Sequence, residues 1–261
     1  VPEIIVLSHP RPQVFLLPAL LGGAILLIAG MGVQASPLFP WLEGNVVSPP
    51  FASWDDEADQ LFLAEKGRSP YAAEIHYDLG LYFYEQGLYD LSLMHYRKAT
   101  EIDPGFSEAH FGIGLLFYSL GDDENAIRHY LRSLECNPRD PDTHNNLGLI
   151  YYRRGELTEA EKEIGIALQL QPGFADAAYN LGLVRYQQND LNAAVTCFLQ
   201  AISQNPEFYR ARFNLGVAYF ELGLLQLAEE QWQKVVKSAP GTTVAAQAQE
   251  NLGVLHAQSP K

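Results

Sequence analysis

From residue 73 to residue 242 the apolar, small and turn-forming positions recur with a step of 34 residues. Pro104, Pro138, Pro172, Pro206 and Pro240 mark the close of each step. Leu79-Gly80, Ile113-Gly114, Leu147-Gly148, Leu181-Gly182 and Leu215-Gly216 keep the same phase. The units run 73–106, 107–140, 141–174, 175–208 and 209–242. Midway through each stands a residue that tolerates positive φ: Gly87, Gly121, Gly155, Asn189 and Gly223. A helix-length apolar pattern lies on either side of it, and the proline stops the second. Each unit therefore predicts a helix A, a tight turn and a helix B.

Three positions show how the two helices meet. The eighth is always glycine: 80, 114, 148, 182 and 216. Glycine inside a helix costs about 1 kcal/mol relative to alanine, so its recurrence implies a close crossing of A and B. The twentieth is small: Ser92, Ala126, Ala160, Ala194 and Ala228. The twenty-fourth is large and apolar, namely Tyr96, Tyr130, Ile164, Phe198 and Trp232, and is expected to fill the gap between one unit and the next. From the Leu-Gly pair to the closing proline, residues 73–242 resemble the tetratricopeptide repeat family, whose period is about 34 residues. The resemblance implies an all-α solenoid, a right-handed superhelix of antiparallel helix pairs whose A helices line a concave groove. Solenoids need capped ends. Ala58, Phe62 and Pro70 fall in phase with a preceding half unit, so 54–72 reads as an N-terminal cap. Leu252-Gly253 repeats the A-helix marker after a three-residue slip, so 243–261 reads as a C-terminal capping helix and tail.

The first third of the chain is built differently. Between Arg11 and Glu43 there is no charged residue. Residues 14–35 predict one transmembrane helix, since about 20 apolar residues span a bilayer core. Its anchoring side chains are Phe15, Leu16, Leu17, Leu20, Leu21, Ile25, Leu26, Leu27 and Ile28. Glycines 22, 23, 30 and 32 would weaken a soluble helix but permit close helix approach in lipid. The competing reading is a secretory leader cut after Ala35. Residues 1–13 form the preceding flank, where Arg11 puts the N-terminus in the cytoplasm and the repeats outside a bacterial membrane. The chain opens on Val, which places its start upstream or at an alternative start codon. Residues 36–53 hold Pro37, Pro40, Pro49 and Pro50 and read as an extended connector. Trp41 suits a membrane interface, or packing against the first repeat helix.

Net charge is −14, and the five units carry 13 Lys+Arg against 23 Asp+Glu. Nucleic-acid binding needs clustered cations, so nucleic acid is not expected as a partner. Cys136 and Cys197 occupy different phases without metal spacing and read as free buried thiols. The fourth residue of helix A is His76, His110, His144, Ala178 and Arg212. Equivalent positions in stacked units lie too far apart to share one ion, so these histidines read as structural, as do His95 and His129. No metal or cofactor is expected. No hydrolase, phosphate-loop or metalloprotease motif occurs, and the chain reads as non-enzymatic.

In the family, A-helix positions two, five, six, nine, twelve and thirteen line the groove. Carried over, position five is Tyr77, Phe111, Asn145, Tyr179 and Phe213; position six includes Asn146, Asn180 and Asn214; position twelve is Tyr84, Tyr118, Tyr152, Tyr186 and Phe220. Positions five and twelve share a helical face and form two aromatic rails that either contact a ligand or brace neighbouring helices. Position two is Glu74, Glu108, Asp142, Asp176 and Arg210, which favours an extended or helical partner segment carrying positive charge. The expected function is a membrane-anchored protein-interaction scaffold that assembles or stabilises a membrane complex. The alternatives are a permanent structural subunit of a respiratory, photosynthetic or envelope complex, and a surface-fibre component.

Overall fold

A computed structural model describes residues 72–258. The predicted membrane helix, the connector with Trp41 and the N-terminal cap lie outside these residues. Among the described residues the chain is all helix and loop, with no strand. Five A–B pairs are α1 (Ala72–Glu85) with α2 (Tyr89–Ile102), α3 (Ser107–Ser119) with α4 (Asp123–Cys136), α5 (Pro141–Arg153) with α6 (Leu157–Leu170), α7 (Ala175–Gln187) with α8 (Leu191–Gln204), and α9 (Tyr209–Glu221) with α10 (Leu225–Ser238). A final helix, α11 (Thr243–Gln258), follows. Each pair packs on itself and on the next, which is the one-dimensional stacking of a solenoid. None of these helices is long and apolar enough to cross a membrane.

All five A–B turns close in the same way. Gly87, Gly121, Gly155, Asn189 and Gly223 sit at φ between +63° and +79°. In the first, Gly87 N–H donates to Tyr84 O at 3.0 Å and Leu88 N–H donates to Phe83 O at 2.9 Å. This double closure is a Schellman motif, and it repeats in the other four turns. Asn189 is the one non-glycine residue with positive φ among the described residues. Its short polar side chain makes it the next most tolerant choice.

The eighth-position glycines are seats for the twenty-fourth-position side chains. A Cβ at Gly80, Gly114, Gly148, Gly182 or Gly216 would lie 2.5 to 2.6 Å from Tyr96, Tyr130, Ile164, Phe198 or Trp232. Each large side chain therefore presses on the glycine of its own unit, and it also fills the gap to the next element, as expected: Ile164 shares a packed cluster with Ala177 and Val184, Phe198 with Leu215 and Ala218, and Trp232 with Leu252 of α11. Tyr96 does the same, because a Cβ at Gly112 of the next unit would lie 2.7 Å from its ring. The twentieth positions are fully buried, and Ser92 Oγ donates to Gly80 O at 2.8 Å.

At the C-terminal end α11 covers the last pair. Ala248, Leu252 and Leu255 pack with Ala228, Trp232 and Val235. Gly253 does not act as an eighth-position glycine: it is exposed and a Cβ there would meet nothing within 4 Å. The slip rotates the Leu-Gly marker on the helix, so Leu252 enters the core while Gly253 turns outward. Cys197 is buried and its thiol is pushed up by that burial. Cys136 is only half-buried, against the expectation of two buried thiols.

Candidate functional site on the A helices

The fifth and twelfth residues of the A helices form a ladder that steps 35 residues at a time. Position five of one unit reaches position six of the next: Asn180 Nδ2 donates to Asn145 Oδ1 at 2.9 Å, and Asn214 Nδ2 donates to Tyr179 Oη at 2.9 Å. Position twelve of one unit reaches position thirteen of the next. Tyr84 and Ser119 share a hydroxyl hydrogen bond of 2.8 Å. The Arg153 guanidinium lies 4.4 Å from the centroid of the Tyr118 ring. Tyr186 donates its hydroxyl proton to Glu221. Parallel A helices at a constant register bring the same two rows together, the first row from the third to the fifth unit and the second between units one and two, two and three, and four and five.

The predicted site residues differ in exposure. Phe111, Tyr118, Asn145, Asn146 and Asn180 are buried. Tyr77, Tyr84, Tyr152, Tyr179, Tyr186, Phe213, Asn214 and Phe220 are half-buried. Asn146 donates to Asp142 O within its own helix at 2.8 Å. Asn146, Asn180 and Asn214 thus each have one amide proton engaged within the fold, leaving the other N–H, while Asn145 accepts through its carbonyl. Tyr77 and Tyr179 pack in tilted contact with Phe106 and Phe208, the last residues of their units, at 5.3 and 4.8 Å between centroids. Phe220 packs on Trp232 at 5.9 Å. Position thirteen carries the partners of the second row; the family resemblance counts it among the groove positions, but the sequence does not mark Ser119, Arg153 and Glu221 as site residues. The signal for it is a polar residue exactly one step and one residue beyond each tyrosine, diluted because Ser119, Arg153 and Glu221 share no chemistry.

The charge on this face is uneven. Glu74, Asp78, Glu85 and Glu108 are exposed on α1 and α3. Burial, and then Glu74, raises the Asp78 carboxyl above its usual range. Burial pushes the Tyr77 phenol up to about 12, with Glu108, Asp78 and Asp140 adding to it. Arg153 also pairs with Asp123. Position two changes sign only at Arg210, whose charge acts on Tyr179 in α7. The first units therefore present carboxylates and phenols, which suit a cationic, hydrogen-bonding ligand. Among the described residues no group of three or more His, Cys, Asp or Glu side chains could hold a metal ion.

Models of the tetratricopeptide repeat match residues 145–195 and 179–243, and models of the TPR repeat match 82–121 and 114–155. Between them the matches run without a gap from residue 82 to residue 243. The chain belongs to the tetratricopeptide repeat family. Its array is similar to the crystal structure of MamA, at 25% identity over 65% of this chain and 92% of that one, with a TM-score of 0.57. It is similar in fold to pilF of Pseudomonas aeruginosa, at 22% identity, 72% and 93% coverage and a TM-score of 0.59. It also matches the fold of YrrB, described as a TPR protein with an unusual peptide-binding site, at 20% identity, 74% and 98% coverage and a TM-score of 0.58. No curated protein sequence matches the chain significantly. Tetratricopeptide arrays are protein-interaction scaffolds, and this array has the stacked A helices on which such binding depends.

Proposed function

We propose that the chain is a non-enzymatic, membrane-anchored scaffold whose tetratricopeptide array holds a segment of a partner protein against its A helices, so as to assemble or stabilise a membrane complex. The observation that carries this reading is the 35-residue ladder. It fixes tyrosines and asparagines in two rows at constant spacing, with apolar faces and polar tips suited to a peptide. The exposed carboxylates of α1 and α3 favour a segment bearing Lys or Arg. YrrB, with its peptide-binding site, supplies a precedent on the same fold. The apolar run of residues 14–35 supports an anchor, with the array on the extracytoplasmic side.

The test is purification of the full-length chain in mild detergent with identification of bound proteins. Glu74→Lys with Asp78→Lys should lower recovery of the partner at least tenfold while the thermal melt stays close to wild type, and Tyr152→Phe, which keeps the ring that packs on the cores of its own and the next unit, should lower it less. Equal recovery from all variants would refute binding on this face. Replacing Asn180 is a poorer probe, because it also removes a hydrogen bond to Asn145. A fixed one-to-one partner set would mark a permanent subunit; a substoichiometric set would mark an assembly scaffold.

A further inference from the structure

The fourth residue of each A helix is followed 19 residues later by the twenty-third residue of its unit, on helix B. These positions are occupied by His76 and His95, His110 and His129, His144 and Glu163, Ala178 and Cys197, and Arg212 and Gln231. In the third unit the pair is complementary, with His144 Nδ1 2.8 Å from Glu163 Oε2. In the fifth, Arg212 donates to Gln231 Oε1 at 3.4 Å. In the first two units the same register sets imidazole against imidazole. The His76 and His95 rings stack at 5.2 Å with their Nδ1 atoms 3.0 Å apart. The His110 and His129 rings stack at 5.9 Å.

The second pair has no outlet for an added proton. His110 Nε2 lies 3.3 Å from the Pro104 carbonyl, which can only accept, so Nε2 carries the ring proton. Its Nδ1 is then a bare acceptor. That atom and His129 Nδ1 are both buried without a hydrogen-bond partner. A proton on either nitrogen would point an N–H at a site with no acceptor within hydrogen-bond distance. Phe117 of α3 stacks on His129 at 5.8 Å and offers no oxygen. The charged groups acting on the pair are Arg97 from α2, and Arg128, Arg132 and Glu135 from α4. Three of the four are cations, and Glu135 is already engaged by Arg132 at 2.5 Å.

We propose that the His110–His129 contact is an acid-labile latch between α3 and α4, which proton uptake opens while the third unit stays closed on its His144–Glu163 pair. Burial lowers both histidines of the latch, His129 to about 4, with the neighbouring cations adding to the effect. The opened form binds a proton below the ordinary histidine value of 6.5 that the closed form refuses. Closure is therefore full above pH 6.5 and weakens as pH falls toward 4. The third unit keeps its closure near pH 5, because its histidine, raised by its hydrogen bond to Glu163, contributes fully below 6.5, and the lowered glutamate contributes fully above 4.5. Helix α3 also carries Phe111 and Tyr118. If partner binding occurs as proposed above, acidification would deform that face in its second unit.

The experiment is hydrogen exchange of the full chain at pH 7 and pH 5, corrected for intrinsic exchange and read by mass spectrometry. Amides of α3 and α4 should open about tenfold more readily at pH 5, while those of α5 and α6 keep their protection. His129→Glu copies the third unit and should abolish the difference. His129→Phe keeps a stacked ring without a titratable nitrogen and should shrink the difference to what His110 alone contributes, should the glutamate variant fail to fold. Equal protection of α3 and α4 at the two pH values would overturn the latch. So would equal loosening of α5 and α6, or an unchanged pH response in both variants. The readout requires no partner, so failure of the latch and failure of the binding reading remain separable.

Discussion

A Cβ built on Gly182 would stand 2.5 Å from Phe198 Cε1, whereas one built on Gly165, also inside a helix, would meet nothing within 4 Å. The two glycines should therefore respond to alanine with opposite signs. Gly182→Ala overpacks the core and should cost about 1–3 kcal/mol. Gly165→Ala should gain up to about 1 kcal/mol from helix propensity alone. Urea unfolding of both variants checks the pair. Recurrence in the sequence separates these glycines, since the first keeps phase in all five units and the second does not. What the recurring glycines touch was less legible, because steric fit with Tyr96, Phe198 or Trp232 depends on the direction of the side chain rather than on spacing. The histidines were legible as structural but not as pairs. A second residue-scale prediction follows from His144 and Glu163. The histidine, raised, stabilises the fold below its unfolded value of 6.5 and loses that as pH rises through its folded value. The glutamate, lowered, stabilises above its unfolded value of 4.5 and loses that as pH falls through its folded value. Glu163→Gln should thus destabilise the chain most between about pH 4.5 and 6.5, as melts across that range would show.

The turns were the most legible elements, because a residue with positive φ and a helix end are both written in single amino acids. Helix starts are less uniform. Asp122 and Asp190 cap α4 and α8 by accepting from Asn125 and Ala193 N–H, while Leu88 and Leu224 occupy the same place in α2 and α10 without a side-chain cap. Leu224→Asp should add about 0.5–1 kcal/mol, and Asp190→Ala should remove about 1 kcal/mol, both measurable in thermal melts. Helix A begins under a different compromise. Phe106, Phe174 and Phe208 stand where Asp140 caps Thr143, and Phe106 and Phe208 pack at a tilt on tyrosines of their own units instead. The aromatic rows were readable from helical periodicity. Their rungs were not, since a contact between residues 35 apart joins two different rows whose chemistry changes from unit to unit.

At the scale of the molecule, the array closes on α11. Trp232 is 2% exposed and Val235 fully buried, both packed with residues of that helix. Ending the chain at residue 242 should bare this surface, lower the melting temperature by more than about 5 °C and promote association, which calorimetry and size-exclusion chromatography would detect. Stacking order and capping were legible because each unit repeats the instructions of the last. The partner was not, because one acidic, tyrosine-rich face admits many cationic segments. The constant 35-residue rung also makes the chain modular in a strict arithmetic sense. Excising residues 175–208 would join Phe174 to Tyr209 and bring Asn145 opposite Asn214, Tyr152 opposite Glu221, and the Pro172 carbonyl opposite Arg212. Each new neighbour reproduces a pairing the molecule already makes elsewhere: amide with amide, phenol with carboxylate, carbonyl with guanidinium. The array can be shortened by one whole unit with these three pairings kept, at the loss of the Glu161 contacts with Arg185 and Gln188, whose places fall to Tyr219 and Leu222, whereas removing one residue more or fewer would put every later rung out of register.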